Sequence, residues 1–293
     1  MSDISSPEKN RITGGTLYLV GTPIGNLADI SERAVKVLRE VDFIAAEDTR
    51  NTGKLLKAIG SDRPMISYYE HNKKSKGEII AARLEAGESC ALVTDAGMPG
   101  ISDPGEDMTA LCVKRDIPVT AVPGPCAAID ALVLSGLSAR RFSFEGFLPA
   151  LKSERTKLLD EIKYEKRTLV FYEAPHRLRD TLCALEEALG NRKISLCREL
   201  TKLNEEILRT DVASARELYS KTEPRGEYVL VIEGSTEEKQ SDNVWWGDLT
   251  LSQHVEEYIS KGSAKNEAIR KAAADRGLSK NYVYKMILAE NGK

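Results

Sequence analysis

"CALVTDAGMPGISDPG", residues 90–105, joins an apolar run to a segment crowded with glycine, proline and aspartate, after which a helical pattern resumes at Glu106. Proline withdraws backbone donors and glycine tolerates positive φ, so neither a strand nor a helix continues through that segment. The apolar run reads as a buried strand, and the segment after it as a loop leaving the strand's carboxyl end. Alone, the loop is equally a wide strand-to-helix turn with Asp103 or Pro104 starting the next helix. The same grammar extends outward in both directions. Short runs rich in β-formers, "TLYLVG" (16–21), "FIAAED" (43–48), "MISYYE" (65–70) and "PVTAVPG" (118–124), alternate with helically spaced stretches such as "SERAVKVLREV" (31–41) and "KGEIIAARLEAG" (76–87). This alternation predicts an α/β domain with a mostly parallel sheet covered by helices.

A second alternation comes after "AAIDALVLSGL" (127–137): "TLVFYEAP" (168–175), "RLRDTLCALEEALG" (177–190), "KISLCREL" (193–200), "EEILRTDVASARELY" (205–219) and "GEYVLVIEG" (226–234). It predicts another sheet-containing domain. The polar text "GSTEEKQSD" (234–242) marks a linker. Beyond it "LSQHVEEYIS", "SAKNEAIRKAAADRG" and "SKNYVYKMILAE" read as three helices, with Gly262 and Gly277 as stops and Ser263 and Ser279 as N-caps. The expected division is a flexible leader 1–15, α/β domains 16–137 and 138–235, a linker 236–248 and a helical extension 249–293.

Composition bounds the function. The chain has 293 residues, 41% hydrophobic and 30% charged, with a net charge of −3, as ordinary soluble proteins do. Its five cysteines include no C-x-x-C pair, which fits neither a disulfide framework nor a zinc site and suits a reducing cytoplasm. The least charged window, "PVTAVPGPCAAIDALVLSGL" (118–137), holds three prolines and Asp130, so no membrane span is expected there.

In a parallel sheet, ligands bind outside the carboxyl ends of the strands. Four loops fall there: "VGTPIGN", "AEDTRNTG", "DAGMPGISDPG" and "VPGPCAA". Neither G-x-G-x-x-G nor G-x-x-x-x-G-K-[ST] occurs after these strands, which argues against a dinucleotide fold and a P-loop enzyme.

The ordered combination "LVGTPIGNLADI", "AAEDTRNTGKLL", "LVTDAGMPGISDPG", "VPGPCAAIDALVLSGL", "GFLP" and "FYEAPHRL" closely resembles the tetrapyrrole methylase superfamily over roughly residues 15–235. Within it, the match is to the branch that methylates the ribose 2′-oxygen of a cytidine in 16S ribosomal RNA. The resemblance implies two α/β domains of the class III S-adenosylmethionine methyltransferase type, with a helix-turn-helix-like C-terminal extension. It also implies a homodimer with the cofactor folded in the interdomain cleft. Carried over by motif, Pro23 flanks the cofactor; Asp95, Ala96 and Gly97 contact it; and Ser102 and Asp103 close that wall. Cys126 and Ala127 face its methionine part, and Tyr172 and Glu173 come from the second domain. Porphyrin-methylating relatives tend to carry a glycine-rich, acid-tipped loop after the first strand; "GTPIGN" departs from it and disfavours a tetrapyrrole substrate.

Methyl transfer to a hydroxyl needs positioning, and benefits from a proton acceptor or a cation beside the oxygen. By residue type and loop position the candidates are Glu47, Asp48 and Arg50 in "AEDTR", His71 in "YYEHN", and Glu173, His176 and Arg177 in "EAPHR". The substrate-facing set is taken as Asp48, Arg50, Glu173 and His176, with Arg177 toward RNA. Plainer roles stand beside these: Asp48 capping a helix, Glu173 paired with Arg177, and Pro175 opening a helical turn. From Lys261 onward eight Lys or Arg stand against three acids, a balance of +5 that leaves −8 for the rest of the chain. Such asymmetry suits a basic module that neutralises phosphates. Lys280 and Lys285 in the last helix, and Arg140 and Arg141 near the cleft, are the expected RNA contacts; a solvated helical cap is the other reading of that tail. Two further functions stay open, a porphyrinogen or precorrin C-methyltransferase and a ligand-sensing DNA-binding regulator.

Overall fold

The computed structural model describes residues 10–238 and 245–291, so parts of the expected leader (1–9) and linker (239–244) lie outside the described residues. The first sheet has five parallel strands, β1 (Leu17–Val20), β2 (Phe43–Ala46), β3 (Met65–Ser67), β4 (Cys90–Val93) and β5 (Val119–Val122), in the order β3-β2-β4-β1-β5. Helices α1 (Glu32–Glu40), α2 (Thr49–Ile59), α3 (Lys73–Glu85) and α4 (Gly105–Lys114) make the crossovers, and α5 (Ala127–Leu134) comes after β5.

Successive side chains of a strand point to opposite faces, and here both faces are buried. Ile44 and Ala46 of β2 join Ala91 and Val93 of β4 in a core with Val37 and Leu38 of α1 and Leu56 of α2. Their neighbours Phe43, Ala45, Cys90 and Leu92 enter a second core with Ile80 and Leu84 of α3 and Met108 and Cys112 of α4. Two-sided burial is why these strands appear in the sequence as unbroken apolar runs.

The second sheet is mixed. It contains β6 (Phe142–Phe147), β7 (Thr168–Glu173), β8 (Lys193–Arg198), β9 (Glu206–Asp211) and β10 (Tyr228–Ile232), ordered β6-β7-β10-β8-β9. Only β6 and β7 pair in parallel; β7–β10, β10–β8 and β8–β9 are antiparallel. One face is covered by α6 (Lys152–Ile162), α7 (Leu178–Leu189) and α8 (Val212–Lys221) around Leu169, Phe171, Leu196 and Leu230. The other face receives Ala128, Ala131 and Leu132 of α5 against Val170, Val229 and Val231. The helix that ends the first alternation thus packs on the second sheet, which sets the loop after β5 beside the end of β7.

A separate compact unit begins at Glu238. Its helices are α9 (Leu251–Ser260), α10 (Lys265–Asp275) and α11 (Lys280–Asn291), around Val255, Ala268, Ile269, Ala272, Val283 and Ile287. Gly262 and Gly277 take positive φ, 92° and 62°, just past the ends of α9 and α10. The Ser279 hydroxyl accepts the Tyr282 amide at 3.3 Å, but Ser263 does not cap α10. Ala264 holds the cap position without a side-chain bond, and the Ser263 hydroxyl accepts from Lys271 at 3.1 Å instead.

His254 is wholly buried in this unit, beside Trp245 and Trp246 with ring centroids at 4.8 and 5.1 Å. Its Nδ1 accepts from Arg276 Nε at 3.0 Å, which requires that nitrogen to be unprotonated. Burial, and then the nearby Arg276 charge, hold the imidazole below its ordinary pKa. The unfolded chain therefore takes up the proton first, so the unit has its full stability above about pH 6.5 and loses it as pH falls through that value toward the depressed one. Both tryptophans of the chain lie here, so their fluorescence reports this unit alone. We expect its thermal transition to move down between about pH 7.5 and about pH 5.5, on either side of the ordinary imidazole value; an unmoved transition contradicts the assignment.

Candidate functional site

Because all five strands of the first sheet run the same way, their carboxyl ends lie along one edge, and the four expected loops gather there. Two contacts fix them. Thr22 and Gly97 exchange backbone hydrogen bonds at 2.9 and 3.1 Å, tying the loop after β1 to the loop after β4. Gly21 and Gly124 lie backbone to backbone, so close that a Cβ on either would come within 2.7 Å of the other.

The loop after β4 is organised by Asp103. Its carboxylate accepts the amides of Gly100 at 2.9 Å, Ile101 at 3.1 Å and Gly105 at 2.8 Å. Within the loop Gly97, Gly100 and Ser102 take positive φ, 85°, 89° and 64°, Gly97 where it pairs with Thr22 and the other two beside the Asp103 bonds. A non-glycine residue in that region is uncommon and tends to mark functional loops. Glu47, at the end of β2, accepts the Thr94 hydroxyl at 3.0 Å and lies 3.5 Å from the Asp95 amide.

These loops and the ends of β7, β8 and β10 enclose a cavity of about 430 Å³, within the usual size range of small-molecule sites. Asp95, Ala96, Gly97, Ser102 and Asp103 line it from the first sheet, Cys126 and Ala127 from the start of α5, and Tyr172 and Glu173 from β7. Tyr172 packs on Phe144 and Phe147 with centroids at 5.0 and 5.6 Å. Its hydroxyl pKa is pushed up to about 12, chiefly by burial. The Glu173 carboxylate is fully buried; it takes the Ala174 amide at 2.8 Å and the Thr181 hydroxyl, with Arg177 Nε 3.6 Å away. Arg177 also donates to the Leu148 carbonyl, so these two residues brace the end of β7 against the 3-10 turn Pro175–Arg177.

The remaining sequence candidates stand apart from the cavity lining. Pro23 is half-buried beside Ile24, which does line it. Asp48 caps α2 by accepting the Arg50 amide at 2.7 Å, and the Arg50 side chain is 92% exposed. His71, Arg140 and Arg141 are exposed, and so is His176 in the 3-10 turn. Lys280 and Lys285 are exposed on α11, together with Tyr282 and Tyr284.

One cluster was not anticipated from the sequence. Lys202 lines the cavity with its ammonium 2.8 Å from both Glu199 and Glu227. Burial alone would lower the Lys202 pKa, but the bonds from the two carboxylates outweigh it and raise it. Glu199 is held below its usual value, first by the Lys202 hydrogen bond. The ion pair is therefore formed throughout the neutral range. Among the described lining residues, Glu47, Asp95, Asp103, Glu173, Glu199 and Glu227 are acids and Lys202 is the one cation. Six carboxylates against one ammonium, walled by glycine backbone and an aromatic ring, make a cavity suited to a cationic organic molecule.

The model of the family described as Tetrapyrrole (Corrin/Porphyrin) Methylases matches residues 16–216. Ribosomal RNA small subunit methyltransferase I of Halalkalibacterium halodurans is 48% identical over 92% of this chain and 93% of its own length. The proteins of that name from Bacillus subtilis and Synechocystis are 47% and 43% identical, over 92% and 94% of this chain and 93% and 98% of their own. Among solved structures, uroporphyrin-III-C-methyltransferase from Thermus thermophilus superposes with a TM-score of 0.55 at 20% identity, covering 75% of this chain and 94% of that one. That likeness is one of fold.

Proposed function

The chain belongs to the tetrapyrrole methylase family, and on that premise we propose that it binds S-adenosylmethionine in the cleft and methylates the ribose 2′-oxygen of a cytidine in 16S ribosomal RNA. The observation that carries the cofactor is the acidic cavity at the carboxyl edge of a parallel sheet, since the cofactor is a sulfonium cation. When bound, it supplies an activated methyl group. The backbone from Asp95 to Gly97, left accessible by a glycine and anchored through Thr22, would hold it on one side. Cys126, Ala127 and the Tyr172 ring would hold it on the other, and Asp103 keeps the loop in shape. The chain's task is then to fix two reactants in line and exclude water, which places most of the work on positioning.

The substrate class rests on the relatives, whose name is that of a small-subunit ribosomal RNA methyltransferase over nearly their full length. The exposed Lys280 and Lys285 of α11, and Arg140 and Arg141 beside β6, are the surfaces we assign to RNA phosphates. We further propose that the enzyme acts on the small subunit in the cytoplasm as a homodimer. No described helix is long and apolar enough to cross a membrane.

The test is transfer of labelled methyl from S-adenosylmethionine to small ribosomal subunits that lack the modification, run beside a porphyrinogen acceptor. Label on the RNA and none on the porphyrinogen is expected, and Asp95→Ala is expected to lose it; label on the porphyrinogen alone overturns the reading.

A further inference from the structure

The Lys202 cluster lies on the second-sheet side of the cavity, at the end of β8 and the start of β10. The other buried or half-buried acids of the lining are already engaged. Asp103 is committed to three backbone amides, Glu47 to Thr94, and Glu173 to Thr181, Ala174 and Arg177. Glu227 differs from them: its side chain is 80% exposed at the start of β10 while still lining the cavity. Lys202 has three N–H donors, and two of them meet Glu199 and Glu227.

The position of Lys202 is also constrained. Its stem crosses Gly25 of the loop after β1, where a Cβ would lie 2.3 Å from Lys202 Cγ. Glu199 holds its place after β8 at a φ of 50°, with its carboxylate also accepting the Glu227 amide at 3.0 Å. A lysine pinned on both flanks, beside an exposed carboxylate that faces the same cavity, offers one donor and one acceptor to an incoming hydroxyl. In an in-line displacement the nucleophile approaches opposite the leaving sulfur. With the loops of the first sheet, the start of α5 and Tyr172 around the cofactor, the part of the cavity at β8 and β10 is left to the acceptor.

Building on the function proposed above, we infer that Glu227 and Lys202 receive the target ribose hydroxyl. The 2′-oxygen uses a lone pair to bond to the methyl carbon, and the carbon–sulfur pair returns to sulfur, which leaves as a neutral thioether. The hydroxyl proton passes to the Glu227 carboxylate, and a Lys202 N–H donates to the oxygen as its charge grows. Glu199 is a positioning residue that keeps the Lys202 ammonium in place.

Glu227→Gln and Lys202→Met test this, with cofactor affinity read by calorimetry and single-turnover and steady-state transfer read on unmodified small subunits. Both variants are expected to bind S-adenosylmethionine within about threefold of wild type, and Glu227→Gln to lower kcat about a hundredfold or more with little change in KM, the range of a lost proton acceptor. Glu227 is mostly exposed and its replacement is isosteric, so Glu227→Gln keeps the test valid if Lys202→Met fails to fold. Wild-type transfer matched by Glu227→Gln overturns this inference alone. A wild-type protein that transfers nothing to the RNA while binding the cofactor overturns the substrate reading, and this inference with it.

Discussion

Gly124→Ala is expected to cost about 1–3 kcal/mol of stability, the usual penalty for overpacking, and to weaken S-adenosylmethionine binding about tenfold or more. The added methyl would meet the Gly21 carbonyl oxygen at 2.7 Å and its carbonyl carbon and Cα at 2.8 Å. All three are backbone atoms, and Gly21 is itself held by the hydrogen bond its amide donates to the Val122 carbonyl at 3.1 Å. Relief must therefore come from separating the loops after β1 and β5, and both of these border the cavity through Ile24 and Cys126. Thermal melts and calorimetry measure the two effects. A variant that melts and binds like wild type contradicts the assigned role of this close approach.

Asp103→Asn is the second large effect. The carboxylate accepts three loop amides and donates nothing, and hydrogen bonds to a charged group contribute about 1.5–3 kcal/mol each before relaxation. An asparagine amide in the same place offers one acceptor oxygen and turns an NH₂ group toward N–H donors. The loop carries Gly100 and Ser102 at positive φ, conformations that persist only while their surroundings enforce them. Cofactor affinity should fall about ten- to a hundredfold, equivalent to about 1.4–2.8 kcal/mol, with global stability reduced less because the loop lies at the sheet's edge. An Asp103→Asn protein of unchanged affinity would show that the loop is shaped by its glycines and prolines alone.

The first sheet was legible because burying both faces of a parallel sheet demands continuous apolar runs, and "CALV" or "FIAA" can satisfy that demand only as central strands. Its loops were legible for a related reason: glycine, proline and aspartate at strand ends have few other uses. The second sheet was less so. Alternation of strand and helix does not reveal strand direction, and the antiparallel β8–β9 pair lies across a stretch, "KISLCRELTKLNEEILRTD", whose charges look like ordinary surface. The single segment "EEILRTDVASARELY" divides into β9 and α8 at Asp211, which caps the helix by accepting the Ser214 amide.

The site shows the same contrast. Candidates within one loop, from Asp95 to Asp103, share a cavity because they are neighbours in sequence. Asp48 and Arg50 turned outward because a helix starts between them and the cap takes up the carboxylate. Glu199, Lys202 and Glu227 escaped notice because β10 pairs antiparallel with β8, which brings the start of one beside the end of the other across 28 residues. No spacing in the sequence announces that pairing. Their only signal was three charged residues at strand ends, which solvated surfaces supply in abundance.

The most direct measurement is to locate the methyl group. Small subunits lacking the modification are treated with the protein and S-adenosylmethionine, their RNA is digested to nucleosides, and the product is identified by mass spectrometry. A methyl on the ribose of a cytidine, released with the sugar when the glycosidic bond is cleaved, is the predicted result. A methyl that stays with the base would contradict an account in which the second-sheet side of the cavity receives a ribose hydroxyl.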